Sequence, residues 1–183
     1  MKTTSPSSSR HMIAVDTNIL VHAHRRESLH YRAAARSVAS LCDQTETWAI
    51  PWPCIHEFLA IVTRPKSFLR ASPFELALEQ IDTWLSSCGA ITLSESGTHW
   101  QNLSSIIRSG RITGGAIHEA RIAAICLDHG VRELWTADRD FSRFPTLATF
   151  NPLMNDQVHE SGPSYGAIVR ARTAGRRRSL AAR

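Results

Sequence analysis

The sequence predicts an α/β protein, a three-layer α/β/α sandwich built on a parallel sheet of four to five strands. Two observations lead to this prediction. Short apolar runs alternate along the chain with longer segments of helical character, and these runs are apolar throughout instead of alternating with polar residues. Strands of that kind are buried on both faces, as in a parallel sheet covered by helices. With 183 residues, 43% of them hydrophobic, the chain is long enough for one such domain.

The first half of the chain contains two predicted strands and three predicted helices. MIAV predicts a buried strand, and the TNILVHAH that follows predicts a loop and a helix. The alanine-rich residues 28–43 predict the next helix. TWAI predicts the second strand. PWPCIHEFLAIVTRP then predicts a helix that is entered through Pro53 and stops before Pro65, because proline fits a first helical turn but not an interior one.

The second half continues the alternation. Residues 72–75, Ser-Pro-Phe-Glu, predict a capping box at a helix start. The apolar stripe expected on that helix consists of Phe74, Ala77, Leu78, Ile81 and Leu85. AITL predicts the third strand, and residues 96–109 predict a helix. The loop GRITGG and the helix AIHEARIAAICLDHG, ending at a Gly130 cap, lead to ELWT as the fourth strand and LATF as a fifth.

The two ends of the chain differ from this central part. We expect residues 1–11 to be a disordered leader or a cloning remnant, residues 12–153 to form the folded domain, and residues 154–183 to be a basic, disordered tail. Six of the 21 Lys and Arg residues lie in residues 170–183, which leaves 15 against 16 acids elsewhere. Such a tail could bind RNA phosphates, but terminal arginine runs are more often nonspecific.

The cysteines and the hydropathy predict a soluble, cytoplasmic protein. No apolar run has the length of a membrane span, and no apolar segment follows the first lysine as in a secretion signal. The four cysteines are far apart and have apolar neighbours, so we expect buried, reduced thiols.

Four carboxylates stand at positions where ligands bind in α/β proteins. Asp16 and Asp138 follow the first and fourth strands, and ligands bind beyond the carboxyl ends of parallel strands. Glu57 and Glu119 lie in the opening turns of helices. Each acid alone has a structural explanation, because helix amino ends favour negative charge and aspartate caps helices. Together, four clustered acids would repel one another unless a cation neutralised them, and oxygen ligands suit Mg²⁺ or Mn²⁺.

These residues resemble a known family, the PIN-domain ribonucleases, and within it the VapC toxins of bacterial toxin–antitoxin pairs. The resemblance covers roughly residues 12–153. It rests on VDTNIL, IHEFLAIVTRP, IHEARIAAICLDHG and ELWTADRDFSRFP, the last being the most specific. It implies a PIN-like fold for the predicted sandwich.

The resemblance also implies a set of site residues. Asp16, Glu57 and Asp138 match the acidic metal-site positions of the family, whereas Glu119 stands where these toxins usually have aspartate. The longer stem of glutamate implies a shifted metal preference or reduced activity. The matching supporting residues are Asn18 and Thr136, with Asp140 as the weaker second acid of the T-x-D-x-D-F pattern.

The activity implied is that of a Mg²⁺-dependent endoribonuclease, with Mn²⁺ as a possible substitute. Metal-activated water would cleave the phosphodiester and leave 5′-phosphate and 3′-hydroxyl ends. The resemblance further implies an RNA substrate, a VapB-type antitoxin as inhibitor and a homodimer. Trp52 and Trp84 are candidate aromatic residues for such interfaces.

Other functions remain open at this stage. The chain could be a noncatalytic RNA-binding or partner-binding module in which the acids persist only as helix caps. His22, His24 and His30 could suggest a zinc site or a metal-free ribonuclease, but we favour solvated histidines, because no matching ligand cluster follows. A receiver domain is disfavoured, because it should have an aspartate at the end of its third strand, where this chain has AITLSES. A haloacid-type phosphatase is disfavoured, because it usually has a D-x-D motif after the first strand, where this chain has Asp-Thr-Asn.

Overall fold

The computed structural model describes residues 12–65 and 70–155. Their five strands are β1 (Ile13–Val15), β2 (Trp48–Pro51), β3 (Ala90–Leu93), β4 (Glu133–Trp135) and β5 (Ala148–Phe150). Their six α-helices are α1 (Thr17–His24), α2 (Tyr31–Asp43), α3 (Trp52–Val62), α4 (Phe74–Leu85), α5 (His99–Gly110) and α6 (Ala116–Asp128). Short 3₁₀ helices span Arg139–Arg143 and Pro152–Asn155.

The strands form one parallel sheet in the order β3-β2-β1-β4-β5. This confirms the predicted α/β class and the predicted parallel sheet, which has five of the four to five strands expected. The central strand β1 is nearly all buried, and β2 is buried along its whole length. Both strands lack an alternating polar face because helices cover the sheet.

The order of the strands places the ends of β1 and β4 side by side. Ile13 pairs with Glu133 and Val15 with Trp135, and the backbone N–H of Asp16 donates to the carbonyl of Trp135 at 3.0 Å. The residues that follow these two strands therefore meet at the carboxyl edge of the sheet, where the sequence predicted a ligand-binding position for Asp16 and Asp138.

Some predicted helix starts are wrong by one turn. The second and fifth helices begin at Tyr31 and His99, three residues after the predicted Ser28 and Ser96. Ser28 instead accepts a hydrogen bond from the backbone N–H of His30, and Ser96 accepts one from that of Thr98. Serine side chains that bond nearby N–H groups stabilise turns ahead of a helix as well as the helix itself.

The predicted capping box at Ser72 is also wrong. The residue that caps α4 is Pro73, with no side-chain cap hydrogen bond. The hydroxyl of Ser72 instead contacts Nε2 of His24 at 2.9 Å and accepts from Nη1 of Arg25 at 2.8 Å. This contact joins the end of α1 to the start of α4, so a tertiary bond replaces the local one.

The buried face of α4 is rotated from the predicted stripe. Ala77 and Ile81 are buried as expected, but Phe74 and Leu78 are exposed. Their place in the core is taken by Trp84, which is fully buried and packs edge-to-face on Phe58 with ring centroids 5.3 Å apart. Trp84 is therefore unsuited to the interface role that the sequence suggested for it.

Three further expectations concern cysteines, histidines and the chain ends. Cys42, Cys54 and Cys126 are free and buried as predicted, but Cys88 is exposed. His22 and His24 are partly buried and hydrogen-bonded to serines instead of being solvated, and burial lowers the pKa of each. The predicted leader and nearly all of the predicted tail lie outside the described residues. In the part of the chain that is described, no helix combines the length and hydropathy that a membrane crossing requires.

Replacement of Trp84 by alanine tests the packing between α3 and α4. We expect Trp84→Ala to lower the free energy of unfolding by about 3–5 kcal/mol, because a fully buried ring leaves a cavity against Phe58. Trp100→Ala is the matched control, since Trp100 is 69% exposed and its loss should change stability by no more than about 0.5 kcal/mol. Urea denaturation measures both, and equal losses would contradict the packing described.

Candidate active site

Asp16 is the centre of the candidate site. It follows β1, caps α1 and is buried. Its Oδ1 accepts hydrogen bonds from the backbone N–H of Thr17 at 2.7 Å and from the thiol of Cys54 at 3.6 Å. Its Oδ2 accepts from the Asn18 amide and from the Thr136 hydroxyl, the latter at 2.7 Å. Four donors thus hold this carboxylate in one orientation.

Asn18 and Thr136 join the ends of β1 and β4. Besides donating to Asp16, the Thr136 hydroxyl accepts from the Asn18 amide and from the backbone N–H of Asp138, both at 3.0 Å. The Asn18 carbonyl oxygen accepts from the backbone N–H of Ala137 at 2.9 Å. The two residues that the sequence predicted as supporting therefore make a continuous network around Asp16.

Glu57 reaches the site through Thr17. Glu57 lies on the exposed side of α3, and its Oε2 accepts a hydrogen bond from the hydroxyl of buried Thr17 at 2.7 Å. Thr17 is the chain neighbour of Asp16, so one residue connects both carboxylates.

Asp138 and Asp140 lie on the exposed turn after β4. Asp138 caps the 3₁₀ helix Arg139–Arg143 and accepts from the backbone N–H of Asp140 at 2.8 Å. The carboxylate of Asp140 forms an ion pair with Arg143 at 3.4 Å. Phe141 and Phe144 are buried, with ring centroids 5.9 Å apart, and fix this turn against the core. Asp138 thus has a capping role alongside the functional one predicted for it.

Glu119 is half-buried in the first turn of α6. Its Oε2 is buried and has no hydrogen-bond partner within residues 12–65 and 70–155. A buried carboxylate oxygen without a donor is unfavourable unless another positive group satisfies it. Further along α6, burial raises the pKa of the Cys126 thiol, with a smaller contribution from the charge of Asp16.

The electrostatics of the site disfavour the ionised form of the Asp16 side chain. Burial, with a contribution from the negative charge of Glu57, raises the pKa of Asp16 to about 6. The hydrogen bonds from Thr136, Thr17 and Cys54 act in the opposite direction and limit the rise. A bound cation would act in the same direction as these donors.

The donors present fit a hard divalent cation in their chemistry. Carboxylate oxygens are what such ions prefer, and the unpartnered Oε2 of Glu119 is an atom that such an ion would satisfy. In the described part of the chain, however, no three His, Cys, Asp or Glu side chains stand close enough to hold a metal ion. Glu57 and Asp138 are both exposed, and their carboxylates accept hydrogen bonds from the Thr17 hydroxyl and from the backbone N–H of Asp140 respectively.

Two residues of the network escaped the sequence prediction. Thr17 bridges the two carboxylates, and Cys54 donates to Asp16 from the buried face of α3. Burial, with the nearby charge of Asp16, raises the pKa of the Cys54 thiol, which keeps it a donor. The Thr17–Glu57 and Cys54–Asp16 bonds join residues 40 and 38 positions apart, so no local pattern in the sequence predicted them.

Comparison with known proteins identifies related sequences. The pattern of the PIN domain matches residues 13–147. A VapC ribonuclease of Mycobacterium bovis is 30% identical over 151 residues, which cover 81% of this chain and 99% of the relative. Ribonuclease VapC48 of Mycobacterium tuberculosis is 25% identical over 138 residues, which cover 75% of this chain and 94% of the relative.

Solved structures share the fold. The VapBC2 complex of Rickettsia felis, bound to a promoter DNA fragment, contains a chain that matches with a TM-score of 0.55 at 20% identity, over 76% of this chain and 98% of that one. VapC20 of M. tuberculosis, a toxin that cleaves the sarcin–ricin loop, matches with a TM-score of 0.52 at 16% identity, over 71% of this chain and 92% of that one.

The bridge between the two carboxylates is tested by Thr17→Val, which keeps the shape of the side chain and removes its donor. We expect the affinity for Mn²⁺ to fall by about 10-fold or more, because residues that orient metal-binding groups have effects of that size. The control is Thr83→Val on α4, where the lost hydroxyl bonds a carbonyl within the helix. Calorimetric Mn²⁺ titration that gave equal affinities for both variants would contradict the role of Thr17.

Proposed function

The chain belongs to the PIN-domain family, among the VapC ribonucleases, and from this membership we infer that it is an endoribonuclease acting as the toxin of a toxin–antitoxin pair. Its substrate is RNA, and its reaction is hydrolysis of a phosphodiester bond. The observation that supports this function best is the Asp16 network at the carboxyl edge of the sheet, with Glu57 attached to it through Thr17.

PIN-domain ribonucleases generally use a divalent metal ion. For this chain we propose Mg²⁺, with Mn²⁺ as a substitute, bound directly or through water by Asp16, Glu57, Glu119 and Asp138. The proposed supporting residues are Asn18, Thr136 and Asp140. The unpartnered oxygen of Glu119 and the four donors that orient Asp16 support this assignment.

The residues of the chain divide the chemistry among them. A bound divalent cation would lower the pKa of its water and neutralise charge on the phosphate. Asp16 is held rigidly, so it provides a fixed anchor. Glu57 is exposed and takes the proton of the attacking water. Water adds to phosphorus as the bond to the 3′ oxygen breaks, the leaving 3′ oxygen takes up a proton from solvent, and the products carry 5′-phosphate and 3′-hydroxyl ends.

The partner of this protein is a VapB-type antitoxin. Chains from two solved VapBC complexes share its fold, and the Rickettsia felis complex is bound to promoter DNA. We propose that the antitoxin inhibits by entering the acidic crevice around Asp16, that the toxin forms a homodimer, and that it acts in the cytoplasm, where its RNA substrates are.

A second function has one observation in its favour. Asp16 and Asp138 both cap helices, and within the described residues no three potential ligands converge. A noncatalytic RNA-binding or partner-binding module would need no more than that. Saturable Mn²⁺ binding that is lost in Asp16→Asn would exclude this alternative.

Replacement of Asp16 by asparagine is the main test of the ribonuclease. We expect wild-type protein to cut RNA in Mg²⁺ and to arrest growth when expressed. Asp16→Asn should reduce cleavage by at least about 100-fold and relieve the arrest, because it removes an anionic ligand from the proposed site. Cleavage is followed on RNA gels, and the product ends are analysed by phosphatase and ligation.

Asp82→Asn is the matched control, since Asp82 is an exposed residue of α4. It should cleave RNA and arrest growth as the wild type does. Cyclic phosphate products, full activity in EDTA, or equal arrest by Asp16→Asn would each refute the proposed mechanism.

Glu119→Asp tests the position at which this chain departs from its family. We expect the shorter carboxylate to change the Mn²⁺ affinity and the cleavage rate severalfold, because ligand distances tolerate only a few tenths of an ångström. Glu79→Asp, on the exposed side of α4, should change neither. If Glu119→Asp left both quantities unchanged, Glu119 would have no part in metal binding.

A further inference from the structure

Trp52 is an exposed tryptophan close to the candidate active site. It is the first residue of α3 and is 41% exposed, whereas Trp48 and Trp84 are almost fully buried. Exposure of a large aromatic ring to water is unfavourable in free energy, and such a ring often marks a binding surface.

His56 lies beside Trp52, one turn further along α3. The two ring centroids are 5.7 Å apart and the ring planes are tilted by 36°. His56 is also exposed. The separation lies within the range at which aromatic rings contact one another, so the two rings form a single aromatic surface on the outside of the helix.

This aromatic surface adjoins the carboxylates. Glu57 is the next residue after His56, is exposed on the same helix, and is bonded to Thr17 beside Asp16. Trp52 and Glu57 are separated by about 7.5 Å along the helix axis and by about 140° around it, with His56 between them in the sequence. The helix α3 begins directly after β2, so its first turns lie at the carboxyl edge of the sheet, where Asp16 is also found.

We propose that Trp52 and His56 form a stacking platform for an unpaired base of the RNA, next to the phosphodiester that is cut. This inference rests on the proposed ribonuclease function and names the class of substrate, single-stranded RNA or an RNA loop with splayed bases. Proteins hold unstacked bases on aromatic rings, and this mode tolerates any base because every base has a π-face.

The position of the platform favours RNA over a protein partner. The rings of Trp52 and His56 are an exposed aromatic pair on α3, and Glu57, the residue after His56, is bonded to Thr17 beside Asp16, so RNA bound at the proposed site would pass this pair on the same helix. The exposed apolar residues Phe74, Leu76 and Leu78 belong instead to α4, which carries none of the proposed site residues.

Steady-state kinetics on a short oligoribonucleotide test the platform. The substrate is one that wild-type protein cuts, selected from a random single-stranded pool. We expect Trp52→Ala to raise KM by about 5- to 100-fold with little change in kcat, because loss of one stacked base weakens binding by that factor. Trp52→Phe should retain most of the affinity, since it keeps a ring, and His56→Ala should have a smaller effect than Trp52→Ala.

Trp100→Ala is the control, because Trp100 is an exposed tryptophan on α5, which carries no proposed site residue. It should leave KM unchanged. An unaltered KM in Trp52→Ala would refute the platform, as would equal losses in the Phe and Ala variants. A variant that kept its KM but lost antitoxin binding or self-association would assign Trp52 to a protein interface instead.

These outcomes are separable from failure of the ribonuclease proposal. If wild-type protein cut no RNA, the function itself would be wrong, and the platform with it. If wild-type protein cut RNA and Asp16→Asn did not, while Trp52→Ala matched wild type, the function would stand and only the platform would fall.

Discussion

Burial of the Asp16 carboxylate is the constraint around which the rest of the site is arranged. A carboxylate away from water is costly unless hydrogen bonds compensate it. Here the compensation comes from four different places: the next peptide N–H, Asn18, Thr136 after β4, and Cys54 on α3. Because these donors belong to separate elements, satisfying one oxygen pair also fixes how β1, β4 and α3 meet. The hydrogen bonds that one buried side chain needs therefore constrain how these three elements pack.

The same arrangement leaves the site short of positive charge. Even with its donors in place, Asp16 has a pKa raised to about 6 by burial and by Glu57, and one oxygen of Glu119 has no partner among the described residues. A protein selected for stability alone would place neutral groups here. A raised carboxyl pKa and an unpartnered carboxylate oxygen are typical of sites whose residues are arranged for a ligand and not for stability.

The sequence predicted what depends on local pattern. All five strands were recognisable as short, mainly apolar runs, and the acids after β1 and β4 followed from the rule for parallel sheets. It failed where distant contacts override local signals. Ser72 looked like a helix cap, but Arg25 and His24, far away in sequence, contact its hydroxyl. Thr17 was missed for the same reason, since its partner Glu57 is 40 residues away.

The bond between Thr136 and Asp16 spans 120 residues of sequence, and β1 sits between β2 and β4 in the sheet. During synthesis the emerging chain can pair β1 with β2 early, but the β4 edge of the central strand has to wait until nearly the whole domain has left the ribosome. Until then Asp16 lacks the Thr136 hydroxyl, one of the four donors that orient its carboxylate. The hydrogen-bond network around Asp16 is therefore completed only when most of the domain has been synthesised.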